Sequence, residues 1–199
     1  DLRVGDTAFA VGAPLDTAYS WTVTRGILSG KNRLVEVTID NTNYVMEVLQ
    51  TDAAINSGNS GGPLCNSNGE VVGITNMKIA SSSIEGMGFA IPVDTAIKTA
   101  NEFIEGKTVS RPYLGVSVYE TNSSVIYVEY VQRGSAADKA GIEKGDKILK
   151  IDNESISSAA QFRYQLYKYN VGDKITLTIE RNEKEKKLNV TLSSANGDN

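Results

Sequence analysis

Gly58-Asn59-Ser60-Gly61-Gly62-Pro63 sets one hydroxyl among three glycines, in a 199-residue chain that contains no histidine. A serine hydroxyl is a weak nucleophile. It reacts when a base takes its proton and when donors already stand where the oxyanion will form. Backbone amides can be those donors, but aiming two of them at one point requires a tightly curled chain. Glycines at 58, 61 and 62 permit that curl and leave room for a second backbone to approach, and Pro63 ends it in an extended segment. The same six residues also suit a plain turn between strands, where Asn, Ser and Gly are common.

The flanks narrow the choice. Gly58 to Gly62 fits Gly-x-Ser-x-Gly, a strand-to-helix elbow that needs an apolar strand before it and a helix after it. Here Ala53-Ala54-Ile55-Asn56-Ser57 precedes and Pro63-Leu64-Cys65-Asn66-Ser67-Asn68-Gly69 follows. Proline and an Asn-Gly turn do not start a helix. The elbow is excluded.

Composition bounds the rest. A 40% hydrophobic fraction and 18 glycines suit a turn-rich globular protein of one large domain or two modest ones. No apolar run reaches the roughly 18 residues of a membrane span, and no charged-then-apolar leader is present. A net charge of −4 argues against a nucleic-acid surface. The single Cys65 excludes an internal disulfide, and its apolar setting reads as a buried thiol. With one cysteine and no histidine, neither a zinc site nor a cofactor is expected.

The pattern before Gly106 is strands and turns. Thr7 to Val11, Thr22 to Leu28, Leu34 to Ile39, Tyr44 to Leu49, Glu70 to Ile79 and Gly86 to Ile91 are β-branched or alternating runs broken by Gly, Pro and Asn. Lys31 and Arg33 fall in a loop between two of them. One helix follows, with Pro92 and Asp94 at its start, an apolar stripe of Ile97, Ala100, Phe103 and Ile104, and Gly106 as its stop. This is a mostly β chain whose first part reads as a β-barrel with a helical brace. A second part begins near Gly106-Lys107-Thr108-Val109-Ser110-Arg111-Pro112. It offers strands at Val125 to Val131, Lys147 to Ile151, Lys174 to Glu180 and Lys186 to Leu192. Short helices fit Ser135 to Ala140 and the segment after Ser157-Ser158 that carries Phe162, Leu166 and Tyr169. The charge run Arg181 to Glu185 reads as a solvated hairpin tip, and residues 193 to 199 are expected to fray.

In this order the motifs resemble the HtrA/Deg-type serine proteases, a trypsin-like double barrel followed by a PDZ domain. The resemblance is carried by Asp1-Leu2-Arg3-Val4-Gly5-Asp6, Val11-Gly12-Ala13-Pro14-Leu15, Val23-Thr24-Arg25-Gly26-Ile27 and the long stretch Gln50 to Leu64. It continues in Gly86-Met87-Gly88-Phe89-Ala90-Ile91-Pro92, Tyr113-Leu114-Gly115-Val116, Ser135 to Ile142 and Gly145-Asp146-Lys147-Ile148. It implies the second protease barrel over residues 1–108, a PDZ domain over 109–193 and a disordered tail over 194–199. It also implies that Ser60 is the acyl-forming nucleophile. Gly58 and Asn59, with the Ser60 amide, then belong to the oxyanion hole. Ile55, Ile74, Thr75 and Asn76 fall where the family builds its primary pocket, which apolar Ile55 fits to small or medium aliphatic side chains. Plain core packing remains open for Ile55 and Ile74. Tyr113, Leu114, Gly115 and Val116 resemble the PDZ carboxylate loop, which receives a peptide's C-terminus while the peptide adds a strand.

The family's histidine and aspartate lie upstream of Asp1, so about half of the protease domain is expected to be missing. Three accounts stay open: a fragment of an active protease, a natural inactive relative, or a lysine base. The resemblance further implies unfolded polypeptides as substrates, C-terminal peptides at the PDZ domain and a homotrimer or a multiple of it. The implied location is extracytoplasmic, at a bacterial surface or periplasm, with an amino-terminal membrane anchor outside these residues. The alternative function is a peptide-binding PDZ module whose protease half is vestigial and non-catalytic.

Overall fold

The computed structural model describes residues 2–13, 21–39, 42–78, 86–107 and 111–194. The chain forms two compact units, residues 1–38 with 46–108 and residues 39–45 with 109–199.

In the first unit, six strands close a barrel in the order β1-β2-β3-β6-β5-β4. They are β1 (Thr7–Gly12), β2 (Thr22–Ile39), β3 (Thr42–Thr51), β4 (Pro63–Cys65), β5 (Val71–Lys78) and β6 (Gly88–Pro92). Alternation sets the inward face: Ala8 and Ala10 of β1 are buried while Thr7, Phe9 and Val11 are only half so. Leu28, Leu49, Ala53, Ile55, Leu64 and Ala90 complete the core cluster. The two strands expected at Thr22 to Leu28 and Leu34 to Ile39 are one. Asn32 takes a φ of 57° inside β2 without breaking it, so Lys31 and Arg33 belong to the strand and not to a loop. The strand expected to end at Ile79 is described as far as Lys78; Ile79 lies outside the described residues.

The helix α1 (Val93–Ile104) starts after Pro92 and is followed by Gly106 at a φ of 70°. Its stripe does not face the core. No α1 residue is buried, and Phe103 and Ile104 are 63% and 82% exposed, because the barrel closes on itself without them.

In the second unit, β8 (Val116–Glu120), β9 (Ile126–Val131), β10 (Lys147–Ile151), β12 (Lys174–Arg181) and β13 (Lys184–Thr191) form a sheet in the order β13-β12-β10-β9-β8. The short β11 (Glu154–Ser155) pairs with β10, and β7 (Pro112–Tyr113) pairs with β14 (Ser193–Ser194). That last pairing corrects the expectation of fraying from residue 193, since Ser193 and Ser194 are held in register with Tyr113 and Pro112; residues 195–199 lie outside the described residues. The helices α2 (Ala136–Lys139) and α3 (Ala159–Leu166) begin at serines whose hydroxyls accept third-residue amides, Ser135 from Asp138 at 3.2 Å and Ser158 from Gln161 at 3.0 Å. Leu114, Ile126, Val128, Ile148, Ile151, Phe162, Leu166, Ile175, Leu177 and Ile179 make one core between sheet and helices. Within this unit the Arg111 guanidinium lies 4.8 Å above the Tyr167 ring.

Arg181 does not join the solvated tip. Its guanidinium makes two bonds to the buried Asp146 carboxylate, at 2.6 and 2.7 Å, and others to Glu143 and to the Gly141 carbonyl. The turn itself is Asn182-Glu183, both at positive φ, as a two-residue hairpin connection requires.

Tyr169 donates its hydroxyl to Asp152 at 2.7 Å, and Asp152 also accepts the Thr176 amide at 2.7 Å. Burial, then the bond to Asp152 and that carboxylate's charge, push the Tyr169 phenol from its ordinary 10 up to about 12. The folded state thus holds a proton that the unfolded chain releases near pH 10. The stability it contributes is present below pH 10 and lost as pH rises through 12. Urea midpoints of the wild type are expected to fall faster between pH 10 and 12 than those of Tyr169→Phe. Parallel profiles for the two proteins contradict this.

Candidate functional site

Residues 52–62 connect β3 to β4, and the barrel holds this loop from every side. At its entrance Thr51 donates its hydroxyl to the Ile27 carbonyl at 2.8 Å, and Asp52 accepts the Ile27 amide at 2.6 Å. Thr24 donates to the Ala54 carbonyl at 2.9 Å. Asp52 is thereby committed to β2 as a structural anchor.

The curl is braced by the Asn59 side chain, which is turned inward and 5% exposed. Its Oδ1 accepts the Asn56 amide at 3.0 Å and its Nδ2 donates to the Ala54 carbonyl at 2.9 Å, closing the loop on itself. On one side the Ala13 amide donates to the Gly58 carbonyl at 2.9 Å. On the other, Thr75 of β5 donates its amide to the Gly62 carbonyl at 2.9 Å, and its hydroxyl reaches the carbonyls of Asn59 and Gly62. Gly58 and Gly61 take φ values of 103° and 83°, where a side chain is strained. Contact with β1 is closer still: a Cβ at position 62 stands 2.2 Å from the Val11 carbonyl oxygen, and one at position 12 stands 2.5 Å from the Asn59 Cα.

Which amides remain free follows from this stitching. Asn59 donates to Asn56, Gly61 to Thr75 and Gly62 to Asn59. The amides of Gly58 and Ser60 have no acceptor among the described residues, and Ser60 is exposed. Two donors without acceptors among the described residues therefore lie in the same three-residue stretch as one exposed hydroxyl.

The residues assigned to a pocket divide. Ile55 is 4% exposed, packed in the barrel core beside Gly88, where a Cβ would meet its Cγ1 at 2.4 Å. Ile74 and Asn76 are half-buried neighbours on β5. Thr75 is buried at 1% and supports the loop from behind, a role that its β-branched strand setting did not disclose. Among the described residues no three His, Cys, Asp or Glu side chains converge on a metal position. Burial pushes the half-buried Cys65 thiol up, away from the reactive thiolate.

The second unit holds the other predicted residues. Leu114 is buried and its carbonyl accepts the Ala137 amide at 2.8 Å; the Gly115 carbonyl accepts the Gln132 amide at 2.9 Å. Gly115 sits at a φ of 85°, with Ser135 so close that a Cβ would come within 2.2 Å of the serine's Cβ. The carbonyls are thus tied inward, and the amides of Leu114 and Gly115 have no acceptor among the described residues. The Tyr113 hydroxyl donates to Gln132 at 2.9 Å. Beyond the loop, the edge strand β8 lies beside the helix α3. Glu120, at the far end of β8, accepts the Ala159 amide at the start of α3 at 3.0 Å.

The profile of the family described as "Trypsin-like peptidase domain" matches residues 1–74, and that described as "PDZ domain" matches residues 112–192. The two units therefore belong to the class that joins a trypsin-like domain to a PDZ domain. Over 96% of its length the chain is 41% identical to the "Serine protease Do-like HtrB" of Bacillus subtilis (strain 168), of which it covers 46%. It is 38% identical, over 97% of its length and 41% of the relative, to a protein of Pseudomonas putida (strain W619) named "Probable periplasmic serine endoprotease DegP-like". Among solved structures, the "HtrA-type protease AlgW with tripeptide" superposes with a TM-score of 0.79 at 32% identity, over 97% of this chain and 66% of that one. The chain belongs to the HtrA/DegP-like family, and it spans about half the length of the curated relatives it matches.

Proposed function

We propose that this chain is the serine-bearing portion of an HtrA-type endopeptidase. Ser60 attacks the peptide carbonyl, the amides of Gly58 and Ser60 receive the oxyanion, and Asn59 and Thr75 hold the loop in shape. The observation that carries this reading is the pattern of amide use: in the curl 58–62, only the two donors flanking the hydroxyl are left unbonded among the described residues. Apolar, half-buried Ile74 beside the loop supports cleavage after small aliphatic residues of unfolded polypeptides. The second unit receives a peptide's terminal carboxylate at the Leu114 and Gly115 amides. The relatives' names support an extracytoplasmic setting.

The base that activates Ser60 comes from outside these 199 residues, which contain no histidine. Alone they retain at most the residual catalysis of an oxyanion hole, ~10³ to 10⁴ over water. The second reading, a peptide-binding module with a vestigial protease half, is favoured by the Leu114 and Gly115 amides of the second unit, which come entirely from this chain.

A fluorophosphonate probe separates the two. A version of the protein extended to the relatives' length is expected to be labelled at Ser60, and the 199-residue chain is not. An unlabelled extended protein that still binds peptides establishes the second reading. Turnover of an unfolded substrate by the 199 residues, abolished by Ser60→Ala, refutes the need for an outside base.

A further inference from the structure

Strand β8 is the edge of its sheet, and its two faces differ. Val116 and Val118 pack against the core of the second unit, whereas Ser117 and Tyr119 face away from it. On β9, Tyr130 stands in register with Ser117 and Tyr127 with Tyr119. The Tyr119 and Tyr127 rings stack with centroids 5.6 Å apart and planes 23° from parallel. Tyr119 is 47% exposed and Tyr130 is 59% exposed. The register slips between Ser117 and Val118, leaving Glu129 as an extra residue on β9. Further along this outward row, Lys147 lies in register with Tyr127 and pairs with Glu180 at 3.6 Å. The polar end of the row is satisfied within the sheet, and its aromatic end is left beside the free edge.

One exposed tyrosine on a sheet needs no explanation. Two exposed tyrosines, with half-buried Tyr127 stacked on one of them, on an edge strand that starts at two free amides and on its neighbour, are placed where an added strand must pass. A peptide with its carboxylate on Leu114 and Gly115 runs antiparallel to β8, and its last residue shares the inward face with Val116. Side chains alternate, so the residues one and three positions earlier point outward, over Ser117, Tyr119 and Tyr130. Glu120, bonded to Ala159 at the far end of β8, limits the paired segment to roughly four residues. Both outward positions within that span meet the tyrosines.

We propose that Tyr119, Tyr127 and Tyr130 form an aromatic shelf that selects peptides by the side chains one and three positions before the C-terminal residue, favouring aromatic ones. This rests on the second unit binding C-terminal peptides. The shelf adds ring stacking at positions that the inward face of β8 cannot read.

The test uses the 199-residue chain and fluorescein-labelled decapeptides of alanine ending in free Val, Ile or Phe, with Ala, Trp or Glu at each outward position. Fluorescence anisotropy is expected to give about 2- to 10-fold tighter binding for Trp than for Ala at either position. In Tyr119→Ala/Tyr130→Ala the Trp gain vanishes while the alanine peptide binds as before; Tyr119→Phe keeps it. Equal affinity for Trp and Ala peptides in the wild type overturns the shelf and leaves the carboxylate reading standing, as does a Trp gain that survives in the double variant. If no free-carboxylate peptide binds, or amidated peptides bind equally well, the carboxylate reading falls and the shelf with it.

Discussion

Gly62→Ala is expected to slow the labelling of Ser60 by about 10²- to 10³-fold in a protein extended to the relatives' length, with the barrel still folded. The added methyl stands 2.2 Å from the Val11 carbonyl oxygen and 2.9 Å from the Asn59 carbonyl oxygen. Both contacts are backbone, so a side-chain rotation cannot relieve them. Either β1 or the curl must move, and β1 is fixed in register between β2 and β4. The curl therefore shifts, carrying the Gly58 and Ser60 amides away from the oxyanion position proposed for them. A displacement of about 1 Å is enough for a loss of this size, because the donors act only where the charge develops. Overpacking costs the barrel about 1–3 kcal/mol. The labelling rate, set beside the thermal midpoint, distinguishes a misplaced loop from an unfolded one. A rate within threefold of wild type contradicts the argument.

Asp146→Ala is expected to destabilise the second unit by about 3–5 kcal/mol. Asp146 is 1% exposed and carries both the Arg181 fork and the Glu143 amide, at 2.9 Å. Those bonds raise the guanidinium above even its ordinary basic range; without them its intrinsic basicity keeps Arg181 charged, with only the exposed Glu143 carboxylate left to pair it. The turn 141–146 also loses one of its ties to β12, the bonds from Arg181 to Glu143 and to the Gly141 carbonyl remaining. Urea unfolding followed by far-UV circular dichroism measures the change, and Asp146→Ala/Arg181→Met is expected to recover part of it, because no unpaired charge is then left behind. A single-variant loss below about 1 kcal/mol rules out this account of the pair.

These two positions illustrate what a linear reading can reach. The value of Gly62 was legible, because three glycines and a proline around one serine limit the backbone to a curl. So were Ser135 and Ser158 as helix starts, since a capping hydroxyl acts on an amide three residues away. The partner of Arg181 was hidden, as Asp146 lies 35 residues earlier and only the β10–β12 register brings them together. The stripe on α1 misled for the opposite reason. Its period predicts a helix correctly but does not say whether anything covers the apolar face. In the same way Ile55 met two descriptions, core and pocket, that differ only in what packs beside it.

The sequence by itself determined the mostly β class, the curl around Ser60 and the punctuation of the elements. Each depends on conformational limits that act over a few residues. Only the tertiary structure decided which amides stay free, that Thr75 braces the curl, that Glu120 caps α3 and that three tyrosines line one edge. Those outcomes depend on strand register and on how bonds are shared between residues far apart in the chain. Local preferences shape a loop, but the neighbours it meets on folding determine which of its donors remain available for chemistry.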